Sequence, residues 1–321
     1  MKIGVVIAFA AGVALTLWLV LHIGVGAVFD SAARVGWGGF AVICVAGLVM
    51  EAVSGLAFFL LVPGGASWPV FMAARQLRDS VGDILPFTQF AGMLAAVRAV
   101  TLRRGASPVA FAGLVVDVTS EFVAQIAFVA LGLTLGLAQL RANPTMAPYA
   151  GALMWGTALL VPGAFIFIVL QRKGSSFAKR IADRVLPSAA THTEAFAQAL
   201  TQLYDYPLRM IGATALHLVS WITSGVWLWL MIRLTGYHLS IADAIVIQSL
   251  LEAFRSAAVF VPSSIGVQEA GLTALAPVFG LPPQVGLAAS LLRRARDVAI
   301  GVPVLILWQI AEGRHAMRAV E

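Results

Sequence analysis

The sequence predicts an all-α polytopic membrane protein with about six spans and two proline-broken re-entrant hairpins in an inverted repeat. Three observations carry this prediction. Apolar residues make up 60% of the chain and charged residues only 11%, whereas soluble domains carry roughly 25% charged residues. Several apolar stretches exceed the roughly 20 residues that a span needs. Two other stretches place polar residues around a central proline. With so few charges, most of the surface must face lipid.

Long windows without Asp, Glu, Lys or Arg mark the candidate spans. Residues 3–29, 142–171 and 210–232 contain none of these four residue types. In residues 35–74, Glu51 is the only charged residue. We therefore place spans at about 3–28, 36–62, 107–138, 147–171, 208–233 and 284–311.

Two stretches, at about 69–100 and 242–281, differ from simple spans. Each has a polar helical half, a proline and then a glycine-containing half, with Pro86 in the first and Pro262 in the second. Proline removes a backbone donor and breaks a helix. Broken backbone at membrane depth persists only where protein or a wet cavity surrounds it. Re-entrant hairpins with tips near the two prolines satisfy this rule. The alternative is two kinked spans in each stretch, which gives ten crossings.

The distribution of Lys and Arg predicts the orientation, because these residues concentrate in cytoplasmic loops. Five basic residues lie in segment 172–206, whereas Arg141 is the only one between the third and fourth spans. The basic-rich segments then share one side, so we predict a cytoplasmic (inner) membrane protein with both termini in the cytoplasm. Ten crossings give the same sidedness. The net charge of +6 follows from these segments, and we expect no nucleic-acid partner.

The two broken stretches have the features of an internal repeat. Pro262 lies 176 residues after Pro86, and other landmarks keep almost the same offset. Three crossings separate the two copies, and an odd number inverts the second. Inverted repeats with broken helices meeting at the midplane are a transporter design; chance similarity is the alternative. We predict one integral membrane domain, 1–321, with repeat units at about 69–140 and 242–312.

Polar and charged residues within the predicted membrane segments are the candidate functional residues, because intramembrane charge is costly and marks function by default. They recur at helical spacings in the broken stretches and in the third and last spans. The candidate substrate-binding residues are Arg78, Asp79, Asp83, Pro86, Gln89, Asp117, Glu121, Glu252, Arg255, Pro262, Ser263, Gly266, Glu269, Arg293, Arg296 and Asp297.

These residues predict a polar cavity lined by both signs of charge. Such a cavity would hold a zwitterionic or anionic headgroup, or a sugar, while the lipid tails stay in the bilayer. Arginine suits phosphate because its guanidinium presents a planar fork of donors. The backbone N–H groups of Ser263, Ser264 and Gly266 would also suit an anion. In the structural alternative, internal ion pairs such as Glu121 with Arg296 lock the two repeats together, and the prolines only shape the turns.

Motifs for common catalytic chemistry are absent from the sequence. It contains no G-x-x-x-x-G-K-[ST], no H-E-x-x-H and no G-x-S-x-G. The five His residues show no ligand spacing, and the single Cys44 excludes an internal disulfide or a thiolate metal cluster. We therefore predict a protein that is not an enzyme and uses no cofactor or metal.

The two proline segments also resemble a known family. ILPFTQFAG at 84–92 and VPSSIGVQEAG at 261–271 resemble the transmembrane region of lysylphosphatidylglycerol synthases and their stand-alone relatives. The Arg-Arg-Gly step at 103–105 and the helix at 293–301 fit as well, so the resemblance covers most of the chain. Within the group, the sequence is most similar to hopanoid-biosynthesis-associated, HpnL-like membrane proteins.

The resemblance implies a flippase-like domain that handles an amphipathic lipid. The synthases add a soluble aminoacyl-transfer domain after the membrane region, whereas this chain ends at Glu321, about ten residues past the last predicted span. We therefore expect no lysine transfer to lipid. The partners implied are membrane lipids and, in addition, lipid-synthesis enzymes.

We expect a translocase that moves or exports a polar lipid or hopanoid-type lipid across the cytoplasmic membrane. Without a nucleotide-binding motif, transport would run downhill or couple to protons through Asp117, Glu121 or Glu269. Two alternatives stay open. The same carboxylates would serve an intramembrane enzyme that acts on a lipid headgroup, and the chain would also suit a non-catalytic partner that anchors lipid-synthesis enzymes.

Overall fold

The computed structural model describes residues 2–62, 66–84, 89–104, 107–142, 190–258 and 261–318, with isolated helical positions between 147 and 162. These parts of the chain are helical and contain no strand, which confirms the all-α class. The helices are α1 (Lys2–Ile23), α2 (Val25–Ala33), α3 (Gly36–Leu61), α4 (Trp68–Ile84), α5 (Gln89–Arg104), α6 (Ser107–Ala142), α7 (Ala190–Tyr204), α8 (Pro207–Leu234), α9 (Ile241–Ala257), α10 (Val267–Leu275) and α11 (Pro283–Arg318). Short 3₁₀ turns lie at Pro262–Ser264 and Ala276–Phe279.

Among the described residues, three helices are long and apolar enough to cross a membrane. They are Gly36–Leu61, Pro108–Leu137 and Pro207–Leu234, which belong to α3, α6 and α8. At a rise of 1.5 Å per residue, the 26 residues of α3 extend about 39 Å and exceed the roughly 30 Å hydrocarbon core. These helices confirm three of the six predicted spans.

The N-terminal segment differs from the straight span expected at 3–28. Its helical parts, Ala10–Ile23 and Val25–Ala33, meet at an angle of 91°. Gly24 lies at the bend with φ 102°, a conformation that glycine adopts without steric cost. The two helices qualify only together as one broken span or a re-entrant loop. The span expected at 147–171 lies almost entirely outside the described residues.

The last predicted span, 284–311, lies within the continuous 36-residue helix α11. Four charged residues between positions 293 and 297 interrupt its apolar character, so α11 does not meet the composition of a simple span. Arg293 and Arg296 are turned inward and are only 8% and 5% exposed. After these charges, α11 exposes apolar side chains: Ile306 is 55% exposed and Leu307 is 65% exposed.

Both broken stretches fold as two helices that pack against each other. In the first, a Cβ on Gly92 of α5 would lie 2.4 Å from the carbonyl oxygen of Arg78 on α4. Only glycine allows this approach of the two backbones. In the second, a Cβ on Gly271 of α10 would lie 2.8 Å from Leu251 Cδ1 on α9. Each stretch therefore contains two helices, whereas the break expected at Pro86 lies outside the described residues. Whether the stretches are re-entrant and inverted stays a prediction.

Each broken stretch packs against the long helix that follows the other stretch. Helix α4 packs against α11, and α9 packs against α6, so each stretch contacts the long helix that follows the other one. The Ser263 hydroxyl donates a hydrogen bond of 3.0 Å to the Gly82 carbonyl oxygen and joins the second break to the end of α4. This packing brings the charged faces of α4, α6, α9 and α11 to one centre.

Small residues allow the closest helix contact in this centre. A Cβ on Gly132 of α6 would lie 1.6 Å from Ser249 Oγ on α9, and one on Gly136 would lie 2.4 Å from Val246 Cγ1. Helix association in lipid depends on such close packing, because lipid is as apolar as the helices are and supplies no hydrophobic driving force. The G-x-x-x-G pattern of α6 therefore marks a real helix–helix interface.

The polarity of the molecule is inverted relative to a soluble protein. Trp37 is 87% exposed and Leu21 is 72% exposed. In contrast, Asp117, Glu252 and Glu269 are 0–2% exposed. In water, the exposed apolar side chains and the buried carboxylates would both be unfavourable. In lipid, apolar side chains on the outside are favourable, and charged side chains must be enclosed by protein. The chain is therefore a membrane protein.

Candidate functional site

The charged helix faces enclose a cavity of about 470 Å³. Within the described residues, six arginines and six carboxylates line it: Glu51, Arg75, Arg78, Asp79, Asp83, Glu121, Glu252, Arg255, Arg293, Arg294, Arg296 and Asp297. Apolar side chains, among them Phe122 and Trp221, complete the wall. Nine of these charged residues belong to the set predicted from the sequence. The expected cavity with both signs of charge is therefore present.

On one side of the cavity, two arginines hold Glu121. The Arg75 guanidinium donates from Nη1 and Nη2 to the two carboxylate oxygens, at 2.9 and 2.6 Å. Arg78 Nη2 donates to Glu121 Oε2 at 2.8 Å. Residues 75, 78 and 79 share one face of α4 because i, i+3 and i+4 positions of a helix lie on the same side. Arg75 Nε therefore also donates to Asp79 Oδ2 at 2.9 Å. The same Nε lies 3.4 Å from Glu51 Oε2 on the neighbouring helix α3.

Asp117 lies behind this arginine layer and does not line the cavity. Its Oδ1 is 2.9 Å from Nε2 of His217 on α8, and both side chains are 1% exposed. Arg78 Nη1 is 3.7 Å from Asp117 Oδ2. The α4 network, defined as Glu51, Arg75, Arg78, Asp79, Asp117, Glu121 and His217, thus joins α3, α4, α6 and α8.

The expected pair between Glu121 and Arg296 is wrong. Both Glu121 oxygens bond to arginines of α4, and Arg296 Nη1 bonds to Asp297 Oδ1 at 3.1 Å. No Glu121–Arg296 contact within 4.0 Å exists in the described part of the chain. The matching repeat positions of the two residues predicted proximity, but α4 supplies guanidinium groups that reach Glu121 from its own side of the cavity.

A second network occupies the opposite side. Glu252 Oε1 accepts hydrogen bonds from Gln248 at 2.9 Å and from Arg255 at 3.0 Å. Arg293 Nη1 is 3.4 Å from Gln248 Oε1. The α11 network is defined as Gln248, Glu252, Arg255, Arg293, Arg296 and Asp297.

Trp227 of α8 forms the floor beneath two of these arginines. The Cζ atoms of Arg293 and Arg296 are 5.0 and 5.5 Å from the centre of its indole ring. The indole Nε1 donates to the Ile43 carbonyl oxygen at 2.9 Å, which fixes the plane of the ring. Both cations therefore lie within cation–π distance of one indole ring, whose negative faces stabilise nearby positive charge.

Glu269 connects the second break to α11 and does not line the cavity. Its Oε2 accepts from the Gly266 backbone N–H at 2.8 Å, and its Oε1 accepts from Arg294 Nε at 3.1 Å. Ser290 Oγ is 3.3 Å from the same Oε1. These contacts surround a carboxylate that is 1% exposed, so it anchors the break and offers no open face to a ligand.

The backbone amides of the second break are already bonded. The Ser264 N–H donates to the Val261 carbonyl oxygen at 3.1 Å, and the Gly266 N–H donates to Glu269. The expectation that these two groups bind an anion is therefore wrong. Ser263 accepts a hydrogen bond of 2.8 Å on its carbonyl oxygen from Arg294 Nη2, and it belongs to the same structural contact.

Three of the remaining predicted residues, Gln89, Pro262 and Gly266, lie at the starts of helical segments. Pro86 is outside the described residues. Gln89 begins α5 and Pro262 begins the 3₁₀ turn. Gly266 precedes α10 with φ 84°, as expected of a glycine required by the backbone.

The predicted set lacked three charged cavity residues, Glu51, Arg75 and Arg294, and it also lacked Trp227. Glu51 had a signal, because it is the only charge in a 40-residue apolar window, residues 35–74. Arg75 also had one, since it shares the helical face of Arg78. Trp227 had none, because an aromatic residue in a tryptophan-rich span resembles any lipid-facing one. No group of three or more His, Cys, Asp or Glu in the described parts has a metal-binding arrangement.

Comparison with known proteins relates the chain to one membrane-protein family. A model of the family described as "Lysylphosphatidylglycerol synthase TM region" matches residues 3–304, nearly the whole chain. No curated protein and no solved structure matches. The match does not extend to a subgroup, so the likeness to HpnL-like proteins stays a prediction.

Proposed function

The chain belongs to the family of the lysylphosphatidylglycerol synthase transmembrane region, and from this premise we propose that it translocates a polar lipid across the cytoplasmic membrane. The family relates the protein to lipid metabolism. In this proposal the headgroup crosses through the central cavity while the tails stay in the bilayer. Polar phospholipids and hopanoid-type lipids are both candidate substrates.

The observation that carries the proposal is a cavity with six arginines and six carboxylates inside a molecule with an apolar exterior. A headgroup that crosses hydrocarbon alone loses its hydration, and this costs several kcal/mol or more for a charged group. Side chains of both signs would replace the lost water contacts. Apolar wall residues such as Met93 and Phe122 suit the part of the lipid that adjoins the headgroup.

The arrangement of the helices supports alternating access. Helices α4 and α9 each have 17 residues, and the long helices α6 and α11 each have 36. Each 17-residue helix packs on the long helix of the other unit. In transporters built from repeats, one unit rocks against the other around a central site. We propose the same relation here, with the second unit inverted.

Leaflet exchange in liposomes tests this proposal. Purified protein is reconstituted with labelled phosphatidylglycerol, phosphatidylethanolamine or a polar hopanoid, and exchange is followed together with lipid mass. We expect faster exchange of at least one polar lipid at unchanged mass, because the cavity lowers the barrier for the headgroup. Arg255→Ala and Arg296→Ala should slow exchange. Arg98→Gln should leave it unchanged, since Arg98 pairs with Glu312 at the surface and does not line the cavity.

Each other outcome has a defined meaning. Exchange at the protein-free rate for every lipid contradicts translocation. A new lipid mass in the vesicles replaces translocation with enzymatic modification of the headgroup. Exchange at the protein-free rate together with co-purification of a lipid-synthesis enzyme supports the non-catalytic partner instead.

A further inference from the structure

We propose that His217 and Asp117 form a proton-binding site whose occupancy sets the position of Arg78 in the cavity wall. The pair joins α8 to α6 behind the arginine layer, and the proposed function gives it no role. The proton site itself does not depend on translocation, whereas its effect on transport rests on the proposed function. The inference adds a proton-sensitive step to that function.

The carboxylates expected to take part in proton coupling differ in how fully the protein satisfies them. Glu121 accepts three hydrogen bonds from arginines. Glu269 accepts hydrogen bonds from a backbone N–H, a guanidinium and a hydroxyl. Hydrogen bonds to a carboxylate favour its charged form, so these two residues serve as fixed anions. Asp117 differs, because its Oδ1 contacts His217 while its Oδ2 is buried without a hydrogen bond.

His217 connects this buried carboxylate to the cavity. Its Nε2 is 2.9 Å from Asp117 Oδ1, and His217 is also among the residues that line the cavity. Histidine is the side chain whose charge ordinarily changes between about pH 5 and 8. Since Nε2 is bonded to Asp117, Nδ1 is the nitrogen that takes up a proton arriving through the cavity. Proton uptake converts the neutral imidazole to imidazolium, and no other bond has to break.

Arg78 is placed to respond to this proton. Its Nη2 donates to Glu121 Oε2 at 2.8 Å, whereas its Nη1 lies 3.7 Å from Asp117 Oδ2. Both Nη1 and Oδ2 are buried, and neither has a hydrogen-bond partner in the described structure. An unused donor beside an unused acceptor is costly, and a movement of about 1 Å would bring the two atoms to ordinary hydrogen-bond length. Arg78 therefore has a second position available within the cavity wall.

The charge on His217 decides between the two positions of Arg78. When His217 is neutral, the negative charge of Asp117 attracts Arg78 Nη1. When His217 is protonated, its positive charge compensates Asp117 and repels Arg78, which then stays with Glu121. Opposite and like charges a few ångströms apart interact strongly inside a protein. One proton therefore moves a cation that lines the cavity.

The charges around the pair come from several helices. Those on its side of the cavity are Glu51 from α3, Arg75, Arg78 and Asp79 from α4, and Glu121 from α6. On α8 itself, Arg209 and Arg233 lie near the two ends. Helices α9 and α11 also pack against α8, and their charged side chains form the α11 network on the opposite side. Helices α5 and α7 pack against α6 through apolar side chains. The α4 network thus has two more carboxylates than arginines, and one proton on His217 reduces this excess.

The first test follows the proton on His217 directly. Full-length protein with isotope-labelled histidine is studied in detergent micelles, and nitrogen resonances are recorded from about pH 5 to 8. The resonance that His217→Gln removes is assigned to His217, and we expect it to change as one proton is taken up. In Asp117→Asn the same change should require a more acidic solution, because the imidazolium loses its anionic partner. A resonance that stays constant, or that changes alike in the wild type and in Asp117→Asn, overturns the proposal.

The second test follows Arg78. With isotope-labelled arginine, the Nε–H resonance that is lost in Arg78→Lys reports the surroundings of this guanidinium. It should shift over the same pH range in the wild type and stay constant in His217→Gln, whose amide still donates to Asp117 but takes up no proton. His238→Gln is the matched control, since His238 is an exposed histidine just beyond α8 that pairs with Arg233; it should keep the wild-type shift.

Two results of this measurement overturn the link between the proton and Arg78. One is an Arg78 resonance that does not respond to pH, and the other is a response that persists in His217→Gln. If His217→Gln does not elute as a single folded species, Asp117→Asn decides. The Arg78 shift should then be lost, because a neutral amide does not attract the guanidinium; a full shift in Asp117→Asn overturns the link.

Leaflet exchange over the same pH range separates this inference from the proposed function. We expect exchange to vary with pH in the wild type and in His238→Gln, and to lose this variation in His217→Gln. Titration of His217 without any leaflet exchange supports the proton site and contradicts translocation. Exchange without titration of His217 supports translocation and overturns the proton site. Exchange that is independent of pH, although His217 titrates, overturns the effect of the proton on transport.

Discussion

At the scale of single residues, the α4 network shows how a membrane interior accepts charge. Arg75 donates two hydrogen bonds to the Glu121 carboxylate, at 2.9 and 2.6 Å, and its side chain is only 9% exposed. A paired and hydrogen-bonded ion pair avoids most of the cost of burying either charge alone. These contacts position α4 against α6, so the pair contributes to the architecture of the cavity.

The first prediction concerns this pair. Arg75→Gln or Glu121→Gln should each destabilise the protein by up to about 3–5 kcal/mol, because each removes a partner from a buried charged network and leaves the remaining charges less compensated. The double variant should recover part of the loss, with a coupling energy of about 1–3 kcal/mol. Chemical unfolding in detergent micelles measures the free energy of unfolding of the wild type and of all three variants, and the coupling energy follows from these values.

The matched control is the ion pair between Arg98 and Glu312. It has similar geometry, with bonds of 2.9 and 3.3 Å, but its side chains are 52% and 29% exposed. Its coupling should be only about 0–1 kcal/mol. A buried pair that couples no more strongly than this surface pair would remove Arg75 and Glu121 from the structural role.

At the scale of elements, the second break shows how a discontinuous helix is stabilised. Ser263 and Ser264 have φ angles of 50° and 48°, in the left-handed region that costs roughly 1–2 kcal/mol per non-glycine residue. Bonds to neighbouring elements offset this cost: Ser263 contacts Gly82 and Arg294. Helix α1 covers the break closely, since a Cβ on Gly12 would lie 2.2 Å from the Ile265 carbonyl oxygen.

The second prediction concerns Glu269, which caps α10 and pairs with Arg294. Glu269→Ala removes both contacts and should increase hydrogen–deuterium exchange of the backbone amides at 266–270. Glu269→Gln retains an acceptor for the Gly266 N–H and should show a smaller increase, because a side-chain oxygen at this position still satisfies a free amide of the helix start.

Glu312→Gln is the control for this measurement, because Glu312 is a surface carboxylate far from the break in the chain and pairs with Arg98. It should leave exchange at 266–270 unchanged. Equal exchange in the wild type and in Glu269→Ala would show that the break does not depend on this carboxylate.

At the scale of the whole molecule, the inward charges and the apolar exterior require a membrane, whereas the direction of insertion depends on the loops. The five basic residues of segment 172–206 predict a cytoplasmic location for it. This prediction falls partly on positions outside the described residues, including Asn143 and Ser175, and it stays a prediction.

The third prediction therefore tests topology. In a Cys44→Ser background, Asn143→Cys should react with a membrane-impermeant maleimide on intact cells, and Ser175→Cys should react only after lysis. Both variants must be present at equal amounts in the membrane fraction for the comparison. Labelling of Ser175→Cys but not of Asn143→Cys in intact cells would reverse the orientation.

The sequence by itself determined the features that depend on local composition. The apolar windows at 36–62, 107–138 and 208–233 predicted helices α3, α6 and α8 within a few residues. Charges at helical spacing, such as Asp79 and Asp83, which are four residues apart, predicted the inward face of α4. Such features follow from neighbouring residues alone, because hydropathy and helical periodicity are properties of a short segment.

Only the tertiary structure decided which side chains meet. It paired Glu121 with Arg75 and Arg78 in place of Arg296, and it placed Glu269 in the anchor of the second break. It also placed Trp227 beneath two arginines. Each of these contacts depends on how separate helices pack, and a shift of a few ångströms exchanges one arginine for another. A charged residue can be assigned to the interior from its segment, but its partner is set by the distance between helices.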